Sequence, residues 1–145
     1  MPSVRRSRTV PAAPPRVWKE VADPRRLRKW WPRATRAEGV ADDHWTLVFV
    51  TKKGKTLRAD YRVLEDDPPR RRSWYQELEA SPFERLLSEH VTAVTVDEAP
   101  GGSDVTIEIR QRLRGISRLG SPIVRRASRQ LIDEALDGLA AAVGR

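Results

Sequence analysis

Apolar and polar positions alternate with a period of two through the middle of this chain. The period moves to about 3.6 in two other stretches, and that division predicts the elements. Val4 to Val10 predicts a first, mostly polar-faced strand, with Arg5, Arg6 and Arg8 among Val4, Ser7, Thr9 and Val10. Pro14-Pro15 then opens a helix, since proline at the first helical position gives up no needed donor. Val17, Trp18, Val21 and Ala22 recur at helical spacing. Asp23-Pro24 ends that helix, because a residue before proline is pushed out of the α region, and Asp23 is placed to cap the next. Leu27, Trp30 and Trp31 make the apolar side of a second short helix, stopped by Pro32.

From Arg33 the alternation predicts six strands. Arg33 to Val40 bends at Gly39. Trp45, Leu47 and Phe49 alternate with Thr46, Val48 and Val50, and Lys53-Gly54 reads as a hairpin turn. Leu57, Ala59, Tyr61 and Val63 form one face of the next strand, before a loop at Asp66-Asp67-Pro68-Pro69. Arg72, Trp74, Gln76 and Leu78 share a face, and Ser81-Pro82-Phe83 breaks the run. Leu87 to Val96 is extended, and Pro100-Gly101-Gly102 turns the chain into Val105, Ile107, Ile109, Gln111 and Leu113. After Gly120 the helical period returns. Ser121-Pro122 starts, and Gly144 stops, a helix over 121–143 whose apolar face runs through Ile123, Ala127, Leu131, Ile132, Ala135, Leu136, Leu139 and Val143. One strand, two short helices, six hairpin strands and a long helix make an α+β design with a seven-stranded antiparallel sheet. A curved sheet of this kind can wrap the long helix and enclose a cavity.

Composition narrows the chemistry. A chain of 145 residues reads as one domain. It holds no Cys and two His, so disulfides and cysteine nucleophiles are excluded, and no metal site or cofactor is expected. No apolar run is long enough for a membrane span, no secretory signal is read at the Arg-rich start, and a cytoplasmic location is expected. The net charge of +8 is concentrated early: the first 36 residues hold 11 basic and 2 acidic side chains. With 23 Arg against 5 Lys, the excess reads as a compositional bias on a solvated surface rather than a nucleic-acid footprint. The carboxylate pairs (Asp42-Asp43, Glu65-Asp66-Asp67, Asp97-Glu98, Asp133-Glu134) fall in turns or on the polar helix face, and no inward strand set carries one. Neither a nucleophile elbow nor a phosphate loop is present.

The order of Val17-Trp18, Asp23-Pro24, Trp30-Trp31-Pro32, Pro100-Gly101-Gly102-Ser103 before Val105, and the C-terminal amphipathic helix resembles the START-like (SRPBCC) superfamily, in its polyketide cyclase/dehydrase and lipid-transport branch. The resemblance spans the whole chain, 1–145. It implies a helix-grip fold: a seven-stranded curved antiparallel sheet around a long C-terminal helix, with two short helices after strand 1. It also implies a cavity for a small hydrophobic or amphipathic molecule.

By alternation, Tyr61, Trp74, Gln76, His90 and Gln111 are the inward positions that carry hydrogen-bonding groups among apolar neighbours, as a small-ligand site requires. Trp31 joins them, since the family places its short helices near the cavity mouth. One of Trp30 and Trp31 is expected in the core and the other at the mouth or solvent. The expected function is binding of that ligand as carrier or sensor. One alternative is a polyketide cyclase or dehydratase using His90 and Tyr61 as acid–base groups. His90 lacks an inward carboxylate to orient it, so no catalytic residue is assigned. Another is an interaction protein contacting RNA, ribosome or membrane through the basic N-terminal region. Nucleic acid is not expected as a partner, and peripheral membrane contact is left open.

Overall fold

The computed structural model describes residues 3–115 and 121–144. In chain order these form β1 (Ser3–Val10), α1 (Pro14–Val21), a short 3-10 turn (Pro24–Arg26), α2 (Leu27–Trp30), β2 (Ala34–Glu38), β3 (His44–Val50), β4 (Thr56–Asp67), β5 (Arg71–Glu77), β6 (Leu87–Ala99), β7 (Gly102–Leu113) and α3 (Ser121–Val143). Asp23 caps the 3-10 turn by accepting from the Arg25 N–H at 3.0 Å. The predicted capping by the Ser121 side chain lies outside the described residues.

The seven strands form one antiparallel sheet in the order β1-β7-β6-β5-β4-β3-β2. Sequential hairpins build β2 to β7, so only β1 pairs out of sequence. The α1–α2 segment is the bridge that carries the chain from one sheet edge to the other. Val4 and Val10 of β1, and Val105, Ile107 and Ile109 of β7, are buried beneath α3. Between them Arg6 and Arg8 reach α3, where they pair with Asp133 at 3.0 Å and with Asp137. Arg33 pairs with Glu134. Three of the early positive charges are thus matched by acidic positions of the last helix. Gly138 lets α3 press on α2: a Cβ there would stand 2.3 Å from the Trp30 carbonyl oxygen.

Three details differ from the sequence reading. β4 continues through Asp66 and Asp67, where a loop was expected, because Glu65 and Asp66 pair with Arg71 and Arg72 of β5 beyond a bulge after Val63. β6 runs on to Ala99 rather than stopping at Val96. The third concerns α3. Its later turns are core, with Ile132, Ala135, Leu136, Leu139 and Val143 buried. Its first turns are not: Ile123 is 74% exposed and Ala127 is also exposed. Helical periodicity marks a stripe, but burial needs a partner, and no described element covers that end.

Candidate functional site

Between α3, the α2 region and the concave side of the sheet lies a cavity of about 370 Å³. All six residues singled out from the sequence line it: Trp31, Tyr61, Trp74, Gln76, His90 and Gln111. Leu27, Leu47, Phe49, Phe83 and Leu131 are among its apolar lining. Trp30 is the core tryptophan, donating its Nε1–H to the Glu20 carbonyl at 3.1 Å, and Trp31 is the cavity one. Trp31 stands edge-on to Trp74, which stands edge-on to Trp45, and Trp45 stacks on Tyr61 at 5.7 Å between ring centres. Arg72 lies over the Trp45 ring at 5.9 Å and is held by Asp66 at 3.1 Å. One end of the cavity is therefore an aromatic wall.

The register explains how the polar groups meet. Trp45 is opposite Tyr61, Tyr61 opposite Gln76, and His90 opposite Gln111. β5 and β6 pair from Arg71↔Thr95 to Tyr75↔Val91, and the next position would set Gln76 against His90. The ladder stops one residue short of that pair. A single row of hydrogen-bonding side chains thus crosses five strands, with its one unpaired step between Gln76 and His90. At its β7 end, Gln111 Nε2 donates to Ser128 Oγ of α3 at 2.8 Å.

Elsewhere in the row the polar atoms are unmet. Gln76 is 8% exposed and Trp45 is 2% exposed, and neither Gln76 Nε2 nor Trp45 Nε1 has a hydrogen-bond partner. His90 is half-buried as a residue, yet its Nδ1 is enclosed and also without a partner. Gln76 and His90 also border an open groove on the outer side of the sheet, since the strands part there. Burial lowers the His90 imidazole to about 4, so it is neutral near pH 7. Burial likewise raises the Tyr61 phenol above its ordinary range. Glu89, next to His90 in sequence, faces away and pairs with Arg110 at 3.0 Å. His44 is exposed and bonded to Asp43. No cluster of potential metal ligands occurs among the described residues, and no helix among them is long and apolar enough to cross a membrane.

Sequence reasoning missed Trp45, Phe49, Phe83 and Leu131 as cavity residues. A signal existed for two of them, since Trp45 and Phe49 share a face with Leu47. Using it required the register of β3 on β4. The Thr51–Lys55 loop sets Val50 opposite Thr56 and hence Trp45 opposite Tyr61. A tighter turn at Lys53-Gly54 would have set Trp45 against a residue of the other face.

The fold recurs in solved structures. The di-domain ARO/CYC BexL from the BE-7585A biosynthetic pathway superimposes with a TM-score of 0.83 at 20% identity, covering 99% of this chain and 47% of that one. A START superfamily protein from Mycobacterium smegmatis gives 0.81 at 10% identity, covering 98% and 97%. A Thermus thermophilus protein gives 0.78 at 21% identity, also covering 98% and 97%. At these identities the likeness speaks for the fold alone. No curated protein matches the sequence. The family described as polyketide cyclase / dehydrase and lipid transport matches residues 1–144. Spanned almost end to end by that match and folded as a helix grip, the chain belongs to this family.

Proposed function

We propose that the protein binds a small hydrophobic or amphipathic molecule in the cavity between the sheet and α3, as a carrier or sensor. The observation that carries this reading is the cavity itself. Protein interiors are packed like organic crystals and hold few voids larger than a water molecule. Here a space of about 370 Å³, open at one side near the exposed Lys52, runs in beside a core of buried Ile, Leu and Val. Small-ligand pockets commonly hold roughly 300–1,000 Å³ behind mostly apolar walls with a few polar groups. The cavity meets both conditions. Trp31, Tyr61, Trp74, Gln76, His90 and Gln111 are the residues that would touch the bound molecule.

Carriage is favoured over acid–base chemistry by the surroundings of His90. Among the described residues no carboxylate pairs with it, and burial holds it neutral. A general base needs a partner that orients it and stabilises its charged form.

Native mass spectrometry of freshly purified protein tests the proposal. A small molecule retained in the gas phase and lost after denaturation and refolding is the expected result. The refolded protein should then bind an apolar fluorophore at one site, and Leu131→Trp should abolish that binding by filling the cavity. No retained molecule, together with fluorophore binding that ignores Leu131→Trp, would rule the cavity out as the site.

A further inference from the structure

We infer that the ligand of this cavity is uncharged and carries a carbonyl-type hydrogen-bond acceptor, held against the row formed by Trp45, Gln76 and His90. The inference rests on the proposal that the cavity is a binding site and adds the chemistry of what fills it. Three buried nitrogen atoms on residues that line one cavity lack partners. An unmet buried polar group is costly, and native proteins leave few of them. Their concentration along one row of the sheet needs a cause that packing does not supply.

The sign of the missing group follows from Trp45. An indole N–H can only donate, so whatever meets it accepts. Gln76 Nε2 is likewise a donor, and neutral His90 offers a donor or an acceptor according to tautomer. A hydrocarbon chain would satisfy none of them. A carboxylate would satisfy the donors but would lose its hydration without a free counter-charge, because Arg72, which lies over the Trp45 ring, is already held by Asp66. The cations that border the cavity are elsewhere: Arg33 is engaged with Glu134, and Lys52 lies exposed in the β3–β4 loop. Burying an unpaired charge costs far more than burying a hydrogen-bonded neutral group. The stacked Trp45–Tyr61 pair beside the row favours a flat acceptor such as an aryl ketone over a bulky one.

Three probes of nearly equal shape separate the cases: fluorene, fluorenone and fluorene carboxylate, measured by equilibrium dialysis at pH 7. The quantity read is the ratio of fluorenone to fluorene affinity, in the wild type and in Gln76→Leu and Trp45→Phe. Each substitution removes one donor while keeping an apolar side chain. Circular dichroism checks that each variant is folded, and either folded variant suffices. The ratio is expected to fall about tenfold in each variant, the scale of one buried hydrogen bond, with the carboxylate binding more weakly than the ketone to wild type. A ratio unchanged in folded variants, with both neutral probes bound, would overturn the inference and leave the cavity a binding site. Carboxylate binding tighter than the ketone would overturn it too. Failure of all three probes to bind would overturn both the inference and the function proposed above.

Discussion

Trp30 and Trp45 are each 2% exposed, and the protein treats their indole nitrogens in opposite ways. Trp30 Nε1 donates to the carbonyl of Glu20. The Glu20 carboxylate, itself 1% exposed, accepts from Arg26 through both oxygens at 3.0 Å, and Arg16 stands 3.8 Å away in ion-pair range. Most polar contacts under the short helices therefore hold α1, the 3-10 turn and α2 together, and Arg16 Nη1, which has no hydrogen-bond partner, keeps only its ion pair to Glu20. Trp45 Nε1 meets nothing, and neither do Gln76 Nε2 and His90 Nδ1 along the same row. One region spends its hydrogen bonds on the fold and the other keeps them open. Burial alone does not distinguish a site from a core; the state of the buried polar atoms does.

The comparison breaks first if the Glu20 region is not structural. Arg26→Met would leave a buried carboxylate with only Arg16 nearby. A loss of about 3 kcal/mol is expected in urea unfolding, at the lower end for a broken buried pair because Arg26 itself reaches solvent. A loss under about 1 kcal/mol would place that pair among ordinary surface bridges.

The other region responds to pH. His90 is lowered to about 4 in the folded protein from an ordinary value of 6.5. Below about pH 6.5 the unfolded chain takes up a proton there that the folded protein refuses, so stability falls as the pH drops and stops falling below about 4. The contribution should reach roughly 1–2 kcal/mol by pH 5. Thermal melts of wild type and His90→Gln between pH 7 and pH 4 should diverge in that window, and parallel curves would show that His90 is solvated.

The smallest effect sharpens the comparison most directly. Trp30→Phe and Trp45→Phe delete similar apolar surface, but only the first deletes a hydrogen bond. Trp30→Phe should cost about 1 kcal/mol more. Equal losses would mean that Trp45 Nε1 is satisfied in solution.

Much of the fold was legible in the chain. The change of period located the three helices and the seven strands, and 121–143 reads as a helix from either end. Tyr61, Trp74, Gln76, His90 and Gln111 could be grouped because alternation within a strand is local, and the tryptophan pair divided as expected between core and cavity. The errors were of another kind. The Asp66-Asp67 stretch looked like a loop because its charges had no visible partners, and Arg72 reaches Asp66, as Arg71 reaches Glu65, only once β4 and β5 are paired. Ile123 belonged to the apolar stripe of α3 by periodicity and ended exposed.

The sequence by itself determined which residues share a face, because side-chain direction follows from backbone period and needs no distant contact. Only the tertiary structure decided which faces meet. The loop between β3 and β4 chose the register that brought Trp45 beside Tyr61. The parting of β5 from β6 left Gln76 and His90 unpaired. The docking of α3 through its later turns left a cavity beside Leu131. Each of these depends on relations between strands far apart in the chain, and a hydrogen-bonding group is met or unmet only once its neighbours have arrived.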